Sequence, residues 1–381
     1  MKSLEAENLK DKTIKIALVA GEDSGDQLGS SLMKDLNQIF PLVSFIGVGG
    51  PKMEDSGLDS FFEMKRISVM GIIEPLLKIF ELLSLRKGLK EFLLKEKPDL
   101  FIGIDSPDFN LPISKYLKRN GIKTIQYVSP SIWAWRKGRI KTIEGSVDKV
   151  LTLFPFENVA YKNSSVETHF VGHPLAHRIS ENIDKKELKK KNFNIHEEQM
   201  VALLPGSRKS EVLKMAEVFI KAAELIKSFD ENTKFYMPLS DKNHKELIPN
   251  YEKYSWINFS VGNSLEVLAA SDIGLITSGT ASLEAALLRT PVVVSYKTNW
   301  LTYLIVKPLL NIDNFSLPNL LVGEAIFPEL LQAKVTAENL FSCYKKVLEN
   351  KGGYLNYFQE IHKELKADGP NTSAKVIAES L

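Results

Sequence analysis

The chain has 381 residues, 49 Lys and Arg against 47 Asp and Glu, a formal net charge of +2 and 44% hydrophobic residues. Such a length suits two domains that each bury a core, and so even a charge balance argues against a nucleic-acid binder, whose phosphate affinity comes from clustered cations. The single cysteine, Cys343, excludes an internal disulfide framework and a cysteine-based zinc site, and fits a reducing cytoplasm.

Met1 to Lys12 carries no apolar run ahead of a small-residue cleavage site, so no export signal is expected. From Ile14 to about Phe170, short aliphatic runs alternate with longer amphipathic stretches, the pattern of a parallel sheet with crossover helices. Strands are expected at Ile14 to Ala20, Ser44 to Val48, Leu100 to Ile104, Lys123 to Val128, Val150 to Leu153 and His169 to Val171, with helices such as Leu28 to Gln38 and Leu111 to Lys118. The alternation pauses in the Lys- and Glu-rich stretch from Ser180 to His196. It resumes with strands at Val201 to Leu204, Lys234 to Pro238, Ile273 to Thr277 and Pro291 to Ser295, and helices at Glu211 to Phe229 and Ala281 to Leu288. The fold class is therefore α/β with two doubly wound domains. Residues 1–178 form the first, 179–340 the second, and 341–381 a helical tail able to pack back across a cleft.

Four loops carry candidate chemistry. GEDSGD, Gly21 to Asp26, follows the first strand and opens a helix. It matches neither a dinucleotide fingerprint nor a Walker loop; Ser24 or Asp26 can cap the helix, and a carboxylate of the loop can instead accept from sugar hydroxyls. GIDSPDFN, Gly103 to Asn110, places two carboxylates at a strand's carboxyl end, where one can act as general base and the other orient the loop; a turn capped by Asp108 or Asn110 is the structural alternative. LLPGSR ends in Arg208, a guanidinium suited to a diphosphate with help from the backbone N–H of Ser207. ITSGTASLE sets Ser278, Gly279 and Thr280 at a helix start, with Glu284 one turn on, suited to ribose hydroxyls.

His169, His173 and His177 recur at intervals of four, but Gly172 and Pro174 break the helix that would align them on a metal. No D-x-D pair is present, and no metal or other cofactor is expected. The segment from Val69 to Lys90 is apolar around much of its circumference. Val69, Met70, Ile72, Ile73, Leu76, Leu77 and Phe80 precede Arg86 and Lys87, and Glu74, Pro75, Lys78 and Glu81 keep the run short of the roughly 20 apolar residues a bilayer span needs. Core burial is one account; an interfacial patch with cations for anionic headgroups is the other. Trp300 to Leu310 reads as core.

In this order, GEDSGD, VMGIIE, GIDSPDFN, YVSPSIWAWR, FPFE, VGHP, LLPGSR, SGTASLE and SLPNLL closely resemble the lipid-A-disaccharide synthases, from about Ile14 to Leu330. The resemblance implies a GT-B glycosyltransferase, two Rossmann-like domains facing an interdomain cleft. It implies transfer from UDP-2,3-diacylglucosamine to 2,3-diacylglucosamine 1-phosphate (lipid X), releasing UDP and forming a β-1,6-linked disaccharide with inversion. It further implies Asp108 as general base and Arg208 on the diphosphate, both catalytic. Asn319, Glu22, Asp105, Ser207, Ser278, Gly279, Thr280 and Glu284 would contact substrate. Peripheral attachment to the cytoplasmic face of the inner membrane, no nucleic-acid partner and a homodimer complete that set of expectations. A UDP-GlcNAc transferase, a 2-epimerase or a silent nucleotide-sugar-binding protein are the rival readings.

Overall fold

The computed structural model describes residues 13–68, 78–132, 137–298, 314–369 and 371–381. Two compact units divide it: residues up to Pro174 together with Lys366–Leu381, and Leu175–Leu365. The division thus falls just before the expected boundary. The tail does not stay together, because its earlier helices belong to the second unit and its last returns to the first.

The first unit is built on seven parallel strands: β1 (Ile14–Ala20), β2 (Val43–Val48), β3 (Leu58–Ser60), β4 (Leu100–Ile104), β5 (Lys123–Tyr127), β6 (Lys149–Thr152) and β7 (Glu167–Phe170), in the order β3-β2-β1-β4-β5-β6-β7. Its helices are α1 (Asp23–Ile39), α2 (Pro51–Glu54), α3 (Ile79–Glu96), α4 (Pro107–Arg119), α5 (Ile140–Glu144) and α6 (Pro155–Val159). Helices on both faces require the central strands to be apolar along their whole length. Accordingly every residue of β4 is buried and β1 is buried at all but Lys15.

In the second unit, after α7 (Pro174–Arg178) and α8 (Lys185–Phe193), come β8 (Met200–Leu204), α9 (Lys209–Phe229), β9 (Lys234–Leu239), β10 (Ile257–Val261), α10 (Ser264–Ala270), β11 (Ile273–Thr277), α11 (Thr280–Leu287) and β12 (Val292–Tyr296). α12 (Leu317–Val322), β13 (Glu329–Leu331), α13 (Ala337–Glu349) and α14 (Leu355–Leu365) complete it. Its six parallel strands run β10-β9-β8-β11-β12-β13, the same reversal about a central strand. The final helix, α15 (Thr372–Ala378), lies against α1 with Ala374 and Ile377 buried.

The short strands β3, β10 and β13 were not expected from the sequence; all three lie at a sheet edge and carry little apolar signal. Two helices begin earlier than expected, α1 at Asp23 and α4 at Pro107, because their first turns are polar. Asp26 does not cap its own helix. It is 3% exposed, and its carboxylate accepts the backbone N–H groups of Gly50 (2.9 Å), Lys52 (3.1 Å) and Met53 (2.9 Å), fastening the start of α2. The expected core segment Trp300 to Leu310 lies outside the described residues, as does Trp133 to Arg136 of YVSPSIWAWR.

Removing that carboxylate strands several buried donors. Asp26→Ala is expected to lower unfolding free energy by about 2–4 kcal/mol in urea denaturation; a loss within experimental error would show that water replaces it freely.

Candidate active site

In each sheet the connections diverge on either side of a central pair, β1 beside β4 and β8 beside β11. Open parallel sheets bind ligands at that reversal, outside the strands' carboxyl ends. GEDSGD follows β1, GIDSPDFN follows β4, LLPGSR follows β8 and ITSGTASLE follows β11. All four motifs therefore occupy switch-point loops.

After β4 the backbone does something unusual for side-chain-bearing residues: Asp105 and Ser106 both take left-handed conformations, φ 49° and 40°. Such geometry costs roughly 1–2 kcal/mol per residue. Packed partners sustain it. Asn110 Nδ2 and Gln126 Nε2 each donate to the Asp105 carbonyl at 2.9 Å, and the Asp105 N–H donates to the Tyr127 carbonyl at 2.9 Å. Gly21 crosses so close that a Cβ there would lie 2.5 Å from Ser106 Oγ. The turn sets Asp105 at the carboxyl end of β4, where burial pushes its carboxyl above the usual aspartate range, partly offset by the Ser106 backbone N–H.

The two aspartates of this loop differ in environment. The Asp108 side chain is 79% exposed and paired with the guanidinium of Arg139. Arg86 Nη2 donates to the Asp108 carbonyl at 3.0 Å while its guanidinium lies 5.2 Å from the Phe109 ring centre. The Asp108 carboxylate is thus solvated and ion-paired, whereas burial raises the basicity of the Asp105 carboxylate. The spacing of the motif carries no information on burial, so sequence alone did not separate them. Glu22 immediately precedes α1 in the adjoining loop.

The second unit holds a cavity of about 470 Å³ at its switch point, lined by Ser207, Arg208, Ser278, Gly279, Thr280 and Glu284 among others. The structure brings these sequence-expected residues together. The backbone N–H groups of Ser207 and Arg208, however, are not open to a diphosphate: both donate to Glu211 Oε2, at 3.1 and 3.3 Å. Gly206, at φ 112°, has no room for a Cβ, which would sit 2.5 Å from that same oxygen. Glu211 was not singled out in the sequence, although a glutamate three residues after the start of a helix is a capping-box signal. The Arg208 side chain remains half-exposed, its Nη1 3.7 Å from Glu211 Oε1. By contrast no side chain caps α11 at Gly279, so its N-terminal N–H groups face the cavity.

Glu284, one turn into α11, has its carboxyl raised by burial, an effect opposed by the nearby Arg178 charge. Ser240 and Ser264 also line the cavity and were missed; Ser240 Oγ donates to the Ser207 carbonyl at 2.7 Å and shapes that loop. Asn319 does not reach the cavity with free groups. It is fully buried, Nδ2 donating to the Phe327 carbonyl (2.9 Å) and Glu329 Oε1 (2.8 Å), and Oδ1 accepting the Phe327 N–H at 2.9 Å. These bonds pin the SLPN loop to Phe327 and Glu329.

The lipid-A-disaccharide synthetase family profile matches residues 16–376. The chain belongs to the lipid-A-disaccharide synthase family. Similar relatives include the lipid-A-disaccharide synthases of Idiomarina loihiensis, 43% identical and covering 95% of this chain and 97% of that one, and of Azotobacter vinelandii, 43% identical over 96% and 98%. Among solved structures, the glycotransferase of kitacinnamycin aligns with TM-score 0.67 at 15% identity over 96% and 99% of the two chains. The UDP-GlcNAc 2-epimerase of Neisseria meningitidis bound to UDP-GlcNAc aligns at 0.58 and 12%, over 96% and 99%. The fold is of the GT-B type, and family membership makes the chain a hexosyltransferase of lipid A disaccharide synthesis. Among the described residues no group of three His, Cys, Asp or Glu side chains is placed to hold a metal.

Because Asp105 must be unprotonated to accept a proton, activity is expected to rise with pH through its elevated pKa. The acidic limb of the kcat/KM profile should lie above the roughly 3.9 of an ordinary aspartate. Asp105→Asn should lower kcat by about 10²–10⁴-fold, and Asp108→Ala by less than about tenfold. The reverse ranking would restore Asp108 as the base.

Proposed function

We propose that the chain joins UDP-2,3-diacylglucosamine to 2,3-diacylglucosamine 1-phosphate, forming the β-1,6-linked disaccharide 1-phosphate with inversion and releasing UDP. One observation carries the reading beyond family membership. The same switch-point geometry occurs twice, with a desolvated carboxylate in the first unit and an arginine beside an uncapped helix N-terminus in the second.

An alcohol is a poor nucleophile, so the acceptor's 6-hydroxyl loses its proton to Asp105 as the new bond to the anomeric carbon forms. The departing diphosphate gains charge. Arg208 and the N–H groups at the start of α11 supply compensating positive charge without the metal that a D-x-D enzyme would use, and Glu284 accepts from the ribose hydroxyls. The Glu211 carboxylate holds the Pro205–Arg208 turn in shape before the donor arrives.

Both substrates carry acyl chains, and the start of α3 supports contact with the membrane surface that holds them. Phe80 is 85% exposed and Leu83 48%, on the same face one turn apart, and the Lys87 side chain is exposed beyond them. Arg86, expected on that face, contacts the Asp108 carbonyl and the Phe109 ring. Val69, Met70, Ile72, Ile73, Leu76 and Leu77 lie outside the described residues. No described helix is long and apolar enough to cross a membrane. The reading is peripheral attachment at the cytoplasmic face of the inner membrane, with a homodimer as the assembly.

Incubating the protein with the two purified lipids and analysing the products by mass spectrometry tests the assignment. The disaccharide 1-phosphate and UDP are expected, equally with and without EDTA; loss of product with chelator would remove the metal-free mechanism. Arg208→Ala should reduce kcat/KM for the donor by about 10²-fold or more, matching loss of a charge-assisted contact to the diphosphate. Phe80→Ser with Leu83→Ser should weaken sedimentation with anionic vesicles by several-fold, leaving UDP binding intact.

A further inference from the structure

A second cavity in the same unit, about 230 Å³, opens at the other end of the sheet, where Asp272 leads into β11 and Pro291 into β12. It is far from the carboxyl ends that carry the diphosphate loops, and the proposed transferase chemistry makes no use of it. Cations from three elements meet there: Lys185 at the start of α8, Arg289 just after α11, and Lys351 just after α13.

The acid present is committed elsewhere. Asp272 Oδ2 accepts from Lys189 Nζ and from the Met200 N–H, both at 2.8 Å, while Lys351 Nζ stands 3.9 Å from its other oxygen. The Lys185 ammonium is satisfied by neutral groups, the Ala269 carbonyl (3.1 Å), the Ser271 carbonyl (2.9 Å) and Thr290 Oγ1 (2.6 Å). These acceptors solvate the ammonium and leave its charge uncancelled. The Arg289 guanidinium makes no hydrogen bond or ion pair among the described residues, although its backbone N–H donates to the Ala286 carbonyl at 3.0 Å, and the residue holds a left-handed φ of 56° at a helix end where glycine is the unstrained choice. Four cations therefore surround one aspartate. The electrostatic consequence is visible at Lys185, whose pKa is pushed down to about 7, first by burial and then, against Asp272, by the charges of Lys189 and Lys351.

The remaining wall is apolar, formed by Ile183, Leu355 and Phe358. We propose that this cavity is an anion site for a phosphate monoester, the phosphate set between Arg289 and Lys351 with the already hydrogen-bonded Lys185 behind them, and the ester group resting on Leu355 and Phe358. A dianion there supplies the charge that the cluster lacks, and its guanidinium and ammonium partners come from separate elements, so binding also ties the ends of α11 and α13 together.

The test is thermal unfolding of the full chain with saturating UDP, which keeps the diphosphate cavity filled, titrated at constant ionic strength with inorganic phosphate and with phenyl phosphate. A saturable rise in Tm is expected with both, at several-fold lower concentration for phenyl phosphate. It should be weakened about tenfold in Lys351→Gln and lost in Arg289→Gln with Lys351→Gln. Both side chains are partly exposed, and the variants should keep the wild-type circular dichroism. No saturable shift with either anion, or an undiminished shift in the double variant, would overturn the site; equal affinity for the two anions would overturn the monoester assignment.

Discussion

Parallel strands can be joined only by crossovers, and where successive crossovers leave a central strand toward opposite edges the loops part and leave a crevice. That constraint acts twice in this chain, at β1 beside β4 and at β8 beside β11. Everything chemical follows from which side chains the four loops carry into those openings. The first opening is made rigid by a pair of amides, Asn110 and Gln126, that hold one strained carbonyl; the second is shaped by one carboxylate, Glu211, that gathers the N–H groups of a tight turn. In both, a buried or half-buried polar residue is used to fix backbone, so that a neighbouring residue can face the ligand.

The sheet was largely legible in the sequence because its strands are buried on both faces. β1, β4 and β11 have the bounds expected from their continuous aliphatic runs. Edge strands such as β3 and β13, three residues long and only partly covered, leave no such run. Helix beginnings were read late because Asp23, Ser24 and Asp108 look like loop residues until the packing behind them is known. The shift matters for α4, since starting that helix at Pro107 turns Asp108 outward onto Arg139 and leaves Asp105 as the residue at the strand's end.

Motif positions and burial carry different information. Two carboxylates three apart are equivalent on paper and inequivalent once one is desolvated and the other salt-bridged. Asn319, in a motif that reads as a ligand contact, is consumed by Phe327 and Glu329. Arg86, in a stretch that reads as lipid-facing, is drawn to the same loop as the catalytic candidates. In each case partners separated by 8 to 31 positions along the chain set the side chain's surroundings.

The return of α15 to the first unit gives the molecule a topological property of its own. Its Ser373 lies beside the buried Tyr127 hydroxyl of β5, and Lys149 Nζ reaches Ser380 at 2.8 Å. The first unit is thus stitched from two distant stretches of polypeptide, and the second is an insertion between them. A recombinant half ending at Pro174 would bare the groove on α1 that α15 fills. Any hybrid that exchanges the inserted half between relatives needs two seams, one near residue 174 and one near 365.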